Sequence, residues 1–315
     1  MKLLNTLIIS SFFIFIGCNM PEPRFDLLAQ KELQAFPSAS AIDFHNDKLY
    51  VTGDDARHLM ILDTMYNVVD TITLFPGEEL RIPKKEKADL EASAVIFYNN
   101  KEHLLVAGSS SKAERELMYL FPLDDLHNYQ KVSTISLSEA LRKQGIKELN
   151  IEGVAGVKDR LVFGNRGNFS NPGNHLMIVP ASFLAHPDTV QPAISELVLK
   201  EQKDVVIGLS GLSYIDSTDV LLFTASVEHT QNSTDDGDIG DSYLGYIRSF
   251  SSKLRQAEIV PDTLINLSQK DKKFMRHKIE SVCVESATND LILHLVADND
   301  DGTSTLFKLR MDLPL

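Results

Sequence analysis

An all-β fold, a five-bladed β-propeller, is predicted by three observations. A short pattern of small residues around a Ser or Glu recurs five times, as Ser38-Ala39-Ser40-Ala41, Glu91-Ala92-Ser93-Ala94, Glu152-Gly153-Val154-Ala155, Ser210-Gly211-Leu212-Ser213 and Glu280-Ser281-Val282-Cys283. Each copy begins a unit of up to four strand-like runs bounded by Gly, Asn and Asp turns. The copies lie 53, 61, 58 and 70 residues apart, so five units fill residues 24–315 and six or seven do not fit. An open sandwich, the competing all-β arrangement, does not require one tetrapeptide to return five times.

The chain starts with Lys2 and an apolar run from Leu3 to Ile16, too short to span a bilayer comfortably and ending in Gly17-Cys18. The segment Phe15-Ile16-Gly17-Cys18 resembles a bacterial lipobox. That resemblance implies a signal peptide over 1–18, lipidation of Cys18, and attachment to a membrane of the bacterial cell envelope, on the periplasmic or the surface side. An ordinary signal peptide cut elsewhere is the alternative. Residues 19–24, with Pro21 and Pro23, read as a tether, and 25–315 as a single propeller domain.

Residues 25–29 read as an N-terminal strand that closes the last blade, which has only three runs of its own. After each tetrapeptide, second runs follow at 48–52, 103–107, 160–163, 220–224 and 291–295. Third runs follow at 58–62, 117–121, 175–179, 244–247 and 306–309. Fourth runs are clearest at 71–74 and 193–198. All are short and rich in β-branched or aromatic residues. Segments 138–143 and 269–277 read as short helices between blades.

Composition narrows the function classes. Lys and Arg number 31 against 44 Asp and Glu, a formal charge of −13, which argues against nucleic acid as a partner. Two cysteines exclude a disulfide scaffold and a multi-cysteine zinc site; with Cys18 lipidated, Cys283 is a small buried core residue. A monomer is expected.

The first strand of each propeller blade lines the central tunnel. Ser38, Glu91, Glu152, Ser210 and Glu280 are therefore expected to form a ring around the axis. Small neighbours Ala39, Ala92, Gly153, Gly211 and Ser281 let the strands approach. Three carboxylates there repel one another and resist desolvation. Either a shared cation or basic side chains and backbone amides must compensate. Oxygen ligands without sulfur or imidazole describe a hard cation, and Ca²⁺ accepts irregular oxygen geometry more readily than Mg²⁺.

The up-and-back hairpin returns each second strand to the face of the ring, where the turns are polar. Asp54, Asp55 and Arg57, then Lys112, then Asn165, Arg166 and Asn168 are candidate ligand-binding residues there. Arg57, Lys112 and Arg166, from three blades with similar strand offsets, are expected to converge on an anionic small molecule or glycan, and no turn requires Arg57 or Arg166. Asn165 and Asn168 serve equally as turn residues. Glu228 and His229 are candidate general bases. The loop 230–241 reads as a solvated acidic loop, with a lid or a second cation site as rivals.

This layout resembles the calcium-activated nucleotidase (apyrase) propellers, whose five inner strands present Ser, Glu, Glu, Ser and Glu to a central Ca²⁺. Ser38, Glu91, Glu152, Ser210 and Glu280 stand in that order, and Gly53-Asp54-Asp55-Ala56-Arg57 is similar to that family's Asp-Asp-Arg turn. Lys112 and Arg166 fall in turns where that family carries basic residues. The resemblance implies the fold, a Ca²⁺ cofactor and hydrolysis of a phosphorylated or nucleotide-like substrate. The Gly-Asn-Arg-Gly-Asn turn and the Asp-Asp-Gly loop also resemble an uncharacterised family of bacterial propellers. Two functions remain open from the residues: a cation-stabilised ligand-binding module of undefined activity, and a Ca²⁺-dependent hydrolase.

Overall fold

The computed structural model describes residues 23–199, 205–228, 239–288, 290–299 and 301–312. Strand β1 (Phe25–Leu33) precedes the first repeat. Blade one holds β2 (Ala39–His45), β3 (Lys48–Gly53), β4 (His58–Asp63) and β5 (Val68–Thr73). Blade two holds β6 (Leu90–Tyr98), β7 (Lys101–Gly108), β8 (Leu117–Pro122) and β9 (Gln130–Ser133), followed by helix α1 (Ile135–Lys143). Blade three holds β10 (Ile151–Val157), β11 (Arg160–Asn165), β12 (Asn174–Pro180) and β13 (Ala193–Leu197). Blade four holds β14 (Ile207–Ile215), β15 (Val220–Glu228), β16 (Ile239–Arg248) and, after the two-residue β17 (Glu258–Ile259), β18 (Thr263–Asn266). After α2 (Leu267–Lys270), blade five holds β19 (Lys278–Ala287), β20 (Asp290–Asp298) and β21 (Ser304–Asp312).

Strands pair antiparallel from the axis outwards. The expected five blades are present, and β1 completes the fifth: Phe25 lies opposite Met311 and Leu33 opposite Ser304. The closing strand is longer than the run read from sequence. β17 adds to β13 in parallel, an extra strand from the long β16–β18 connection that periodicity did not show. The helix expected at 269–277 is split into α2 and a 3₁₀ turn, Lys272–Phe274. Among the described residues no helix is long and apolar enough to cross a membrane. Cys18 and its flanks lie outside the described residues.

Five apolar clusters hold the ring together, each shared by two neighbouring blades. Between blades three and four, for example, Val162 and Leu176 meet Leu209, Phe223 and Ile247. Interior strands are covered on both faces, so runs such as Leu221-Leu222-Phe223 are buried throughout and lack simple alternation. Helix α1 adds Leu137 and Leu141 to the cluster between blades two and three.

The seam between blades five and one also carries a buried polar chain. Tyr66 Oη lies 2.9 Å from His294 Nδ1, His294 Nε2 lies 2.7 Å from Glu285 Oε2, and Lys308 Nζ reaches the same oxygen at 2.6 Å. With a neutral ring, Nε2–H donates to Glu285 and Nδ1 accepts from Tyr66. Burial lowers the His294 pKa to about 4, against the opposing pull of Glu285. A histidine held neutral by folding contributes stability above its unfolded pKa and loses it as pH falls towards the folded value. For His294 that window runs from about pH 6.5 to about pH 4. Urea melts should show His294→Gln losing about 2 kcal/mol less than wild type between pH 7 and pH 5. Equal losses would remove His294 as the cause.

Candidate cation site at the upper mouth

Each inner strand carries one extra residue relative to its partner strand near the upper mouth of the tunnel. The register jumps between Ala39 and Ala41, Leu90 and Ala92, Ile151 and Gly153, Leu209 and Gly211, and Ile279 and Ser281. The bulged residues are therefore Ser40, Glu91, Glu152, Ser210 and Glu280. A bulge re-aims a side chain at a strand end, and here it does so at one level in every blade. Small residues follow because the strands nearly touch: a Cβ on Gly211 would lie 2.7 Å from the carbonyl oxygen of Glu280.

Blade one corrects the expected ring by two residues. Ser40 occupies the bulge, while Ser38 stands before β2, opposite Asp54. Asp89 holds the place in blade two that Ser38 holds in blade one: both have positive φ (56° and 47°), and their carbonyls accept from Ser109 and Asp54 N–H, respectively. Ser38 Oγ accepts from Arg81 Nη2 at 3.0 Å.

Asp54, at the end of β3, Asp89, just before β6, and Glu91, on its bulge, bring carboxylate oxygens within 4.8 Å of one another. They are the one such group of three metal-ligating side chains among the described residues. Asp89 is buried, while Asp54 and Glu91 are half-buried. Asp54 Oδ1 is shut off from solvent with no hydrogen-bond partner. Burial pushes the Asp54 carboxyl up to about 6; Lys87 opposes this, and Asp55 and Asp89 add to it. Glu91 is raised well above the usual carboxylate range, first by burial and then by Asp89, Asp54 and Glu152.

The other ring acids have cationic neighbours. Glu152 Oε1 accepts from Asn150 Nδ2 at 2.6 Å, and Arg166 Nη1 lies 3.9 Å from Glu152 Oε2. Lys278 Nζ lies 3.0 Å from Glu280 Oε1. The densest group of acids, Asp54, Asp55, Asp89 and Glu91, lies where blades one and two meet, with Lys87, Arg115 and Arg81 among it. Three carboxylates with only oxygen donors fit a hard cation, and Asp54, Asp89 and Glu91 could hold one.

The polar turns behave differently from one another. Arg166 is buried at the mouth, donating to Ser210 Oγ at 2.8 Å and Ser226 Oγ at 3.0 Å. Arg57 is directed elsewhere, holding the carbonyls of Glu79 (2.6 Å) and Pro76 (2.8 Å). Lys112 is exposed before the 3₁₀ turn Ala113–Arg115. The buried cation of that loop is Arg115, 2.5 Å from Asp89 Oδ2. The expected convergence of Arg57, Lys112 and Arg166 is therefore replaced by Arg166, Arg115, Lys87 and Lys278. Asp55 accepts from Arg81 Nε at 2.6 Å. Asn165 and Asn168 brace their loop: Asn165 Oδ1 accepts from Asn150 N–H, and Asn168 Oδ1 from Ser170 and Asn171 N–H. Glu228 ends β15, its backbone opposite Ile239, and His229 lies outside the described residues.

Fold and site together define a five-bladed β-propeller with an acidic cluster at one end of its axis. The chain belongs to DUF6929, a family of unknown function whose model matches residues 35–311. No curated protein matches it. Among solved structures, Myxococcus xanthus glutaminyl cyclase is similar in fold: TM-score 0.51 and 12% identity over 92% of this chain and 97% of that one. Bacillus subtilis arabinanase Arb43A follows at TM-score 0.42 and 12% identity, over 88% and 94% of the two chains. A duf4221 family member from Bacteroides vulgatus gives TM-score 0.40 and 11% identity, over 92% and 99%.

Proposed function

We propose that the protein is a lipid-anchored envelope propeller that binds a divalent cation, Ca²⁺, at its upper mouth and uses that face to hold an anionic small molecule or glycan. The meeting of Asp54, Asp89 and Glu91 carries this reading. Four acids meet there, Asp54, Asp55, Asp89 and Glu91, against three cations, Lys87, Arg115 and Arg81, so a net negative charge remains for a hard cation to neutralise. Glu152, Glu280, Ser210 and Ser40 form the remainder of the polar rim. Ca²⁺ there supplies charge neutralisation and an anchor for an anionic oxygen. Terbium luminescence and calorimetry with Ca²⁺ and Mg²⁺ test it; no binding at millimolar Ca²⁺ would overturn it.

The bulge order Ser40, Glu91, Glu152, Ser210 and Glu280 keeps the apyrase-like series and favours a second reading, Ca²⁺-dependent hydrolysis of a phosphorylated or nucleotide-like substrate. A nucleotidase and phosphatase panel with and without Ca²⁺ separates the two readings.

Anchoring has its own test. Full-length protein should enter the detergent phase on phase separation, and Cys18→Ser should remain an unprocessed precursor. Unlipidated wild-type protein in the aqueous phase would refute it.

A further inference from the structure

The acidic mouth already holds a cation belonging to the chain. Residues 75–89 cross from blade one to blade two, with no strand longer than a single bridge at Arg81. The first half is pinned to blade one: Arg57 holds the carbonyls of Glu79 and Pro76, Ile82 N donates to Asp55 O at 2.8 Å, and Arg81 pairs with Ala56. The second half, 83–88, makes one local turn on Pro83, meets blade two through Arg115 Nη2, which donates to the Lys84 carbonyl at 3.5 Å, and through buried Ala88, and delivers Lys87 inward. Lys87 Nζ bonds Asp54 Oδ2 and lies 2.9 Å from Asp89 Oδ1, with 11% of its side chain exposed.

The choice of atoms matters. Arg115 holds Asp89 by the other oxygen, Oδ2, and Arg81 holds the neighbouring Asp55. Those guanidinium groups can stay while a metal ion binds. Lys87 cannot, because it sits against two of the three carboxylates that would ligate the ion, and two cations at that distance repel. A lysine suits a displaceable role, being a point charge on a flexible four-carbon stem rather than a rigid fork. Asp89 has both oxygens engaged, Oδ1 by Lys87 and Oδ2 by Arg115, so the departure of Lys87 frees the oxygen an ion would take.

We propose that Lys87 is a tethered competitor for the cation: the mouth exchanges between a lysine-filled and a metal-filled state, and metal binding expels Lys87 and loosens residues 83–88. The proposal rests on the reading that this mouth binds a divalent cation. It makes the 83–88 segment a reporter of occupancy on the face where a ligand arrives.

The test uses the full chain and Ca²⁺ alone. Lys87→Met should bind Ca²⁺ at least tenfold more tightly than wild type by calorimetry, while Lys87→Arg should bind no more tightly than wild type. In wild type, Ca²⁺ should speed hydrogen exchange of the 84–88 amides. Wild type that binds Ca²⁺, with Lys87→Met equal or weaker, overturns the proposal and leaves the cation site standing. Absence of Ca²⁺ binding in both proteins removes the site itself, and the proposal with it. Should Lys87→Met fail to fold, wild-type exchange decides: unchanged or slower exchange at 84–88 on adding Ca²⁺ overturns the proposal.

Discussion

Glu91→Gln is expected to lose most of the protein's response to chelation and to invert its melting order against wild type. In EDTA, wild type carries Glu91 among Asp89, Asp54 and Glu152, with a carboxyl that burial and those neighbours push well up. The neutral amide removes that repulsion without changing size, so the variant should melt higher than wild type in EDTA. With Ca²⁺ the order inverts. A ligand at a hundredfold excess over its Kd stabilises the native state by about 2.7 kcal/mol. For a domain of this size that corresponds to a rise in melting temperature of about 4–5 °C. Glu91→Gln should lose most of the rise, with affinity down at least tenfold. Differential scanning fluorimetry of both proteins in EDTA, Ca²⁺ and Mg²⁺ provides the measurement. A wild-type melt indifferent to Ca²⁺ and EDTA would mean that Lys87, Arg115, Arg81, Arg166 and Lys278 are the permanent counter-charges of the mouth.

Removal of β1 should have the largest structural effect. Strand β1 pairs with β21 from Phe25 to Leu33, Phe25 sits 5.9 Å from Phe274, and Leu33 belongs to the seam between blades five and one. A chain beginning at residue 35 exposes the whole edge of β21 and opens that seam. Losing one strand of pairing and its apolar contacts removes a large share of a stability that is commonly about 5–15 kcal/mol in total. The truncated chain should aggregate, or elute as soluble oligomers without a cooperative melt. A monomer with the wild-type melting temperature would show that the ring closes without its clasp.

Much of this architecture was legible because propeller blades repeat. Tetrapeptide spacing counted the blades, and the three-run last blade pointed to the N-terminal clasp. Register was harder. Ser38-Ala39-Ser40-Ala41 offers Ser-Ala twice, and only the pairing of Ala39 with Gly53 and Ala41 with Thr52 shows that the second frame carries the bulge. The cluster was half visible: Glu91 and Asp54 stood out, but Asp89 and Lys87 did not. Asp89 stands two residues before its bulge, the place of Ser38 in blade one, but the misplaced frame in blade one hid that equivalence, and Lys87 lies in a connection between blades that carries no repeat. A signal was present in Lys84-Lys85-Glu86-Lys87-Ala88-Asp89, a charge run leading directly into an inner strand. Arg57 and Lys112 were drawn in by their turns, whereas burial in the folded ring selects Arg115 and Arg166.

The direction of β1 sets how the molecule is presented. Leu33 reaches the level of Ser304, whose hydroxyl accepts from Ala39 N–H beside the acidic mouth, while Phe25 ends at the opposite rim next to Met311. The described chain therefore enters the wheel from its underside, at Pro23 and Arg24. Under the proposed anchoring at that end, the molecule would stand like a cup on its stem, with the rim of Asp54, Asp89 and Glu91 turned away from the supporting surface. Solutes would then reach the rim by free diffusion without first crossing the crowded layer at the base.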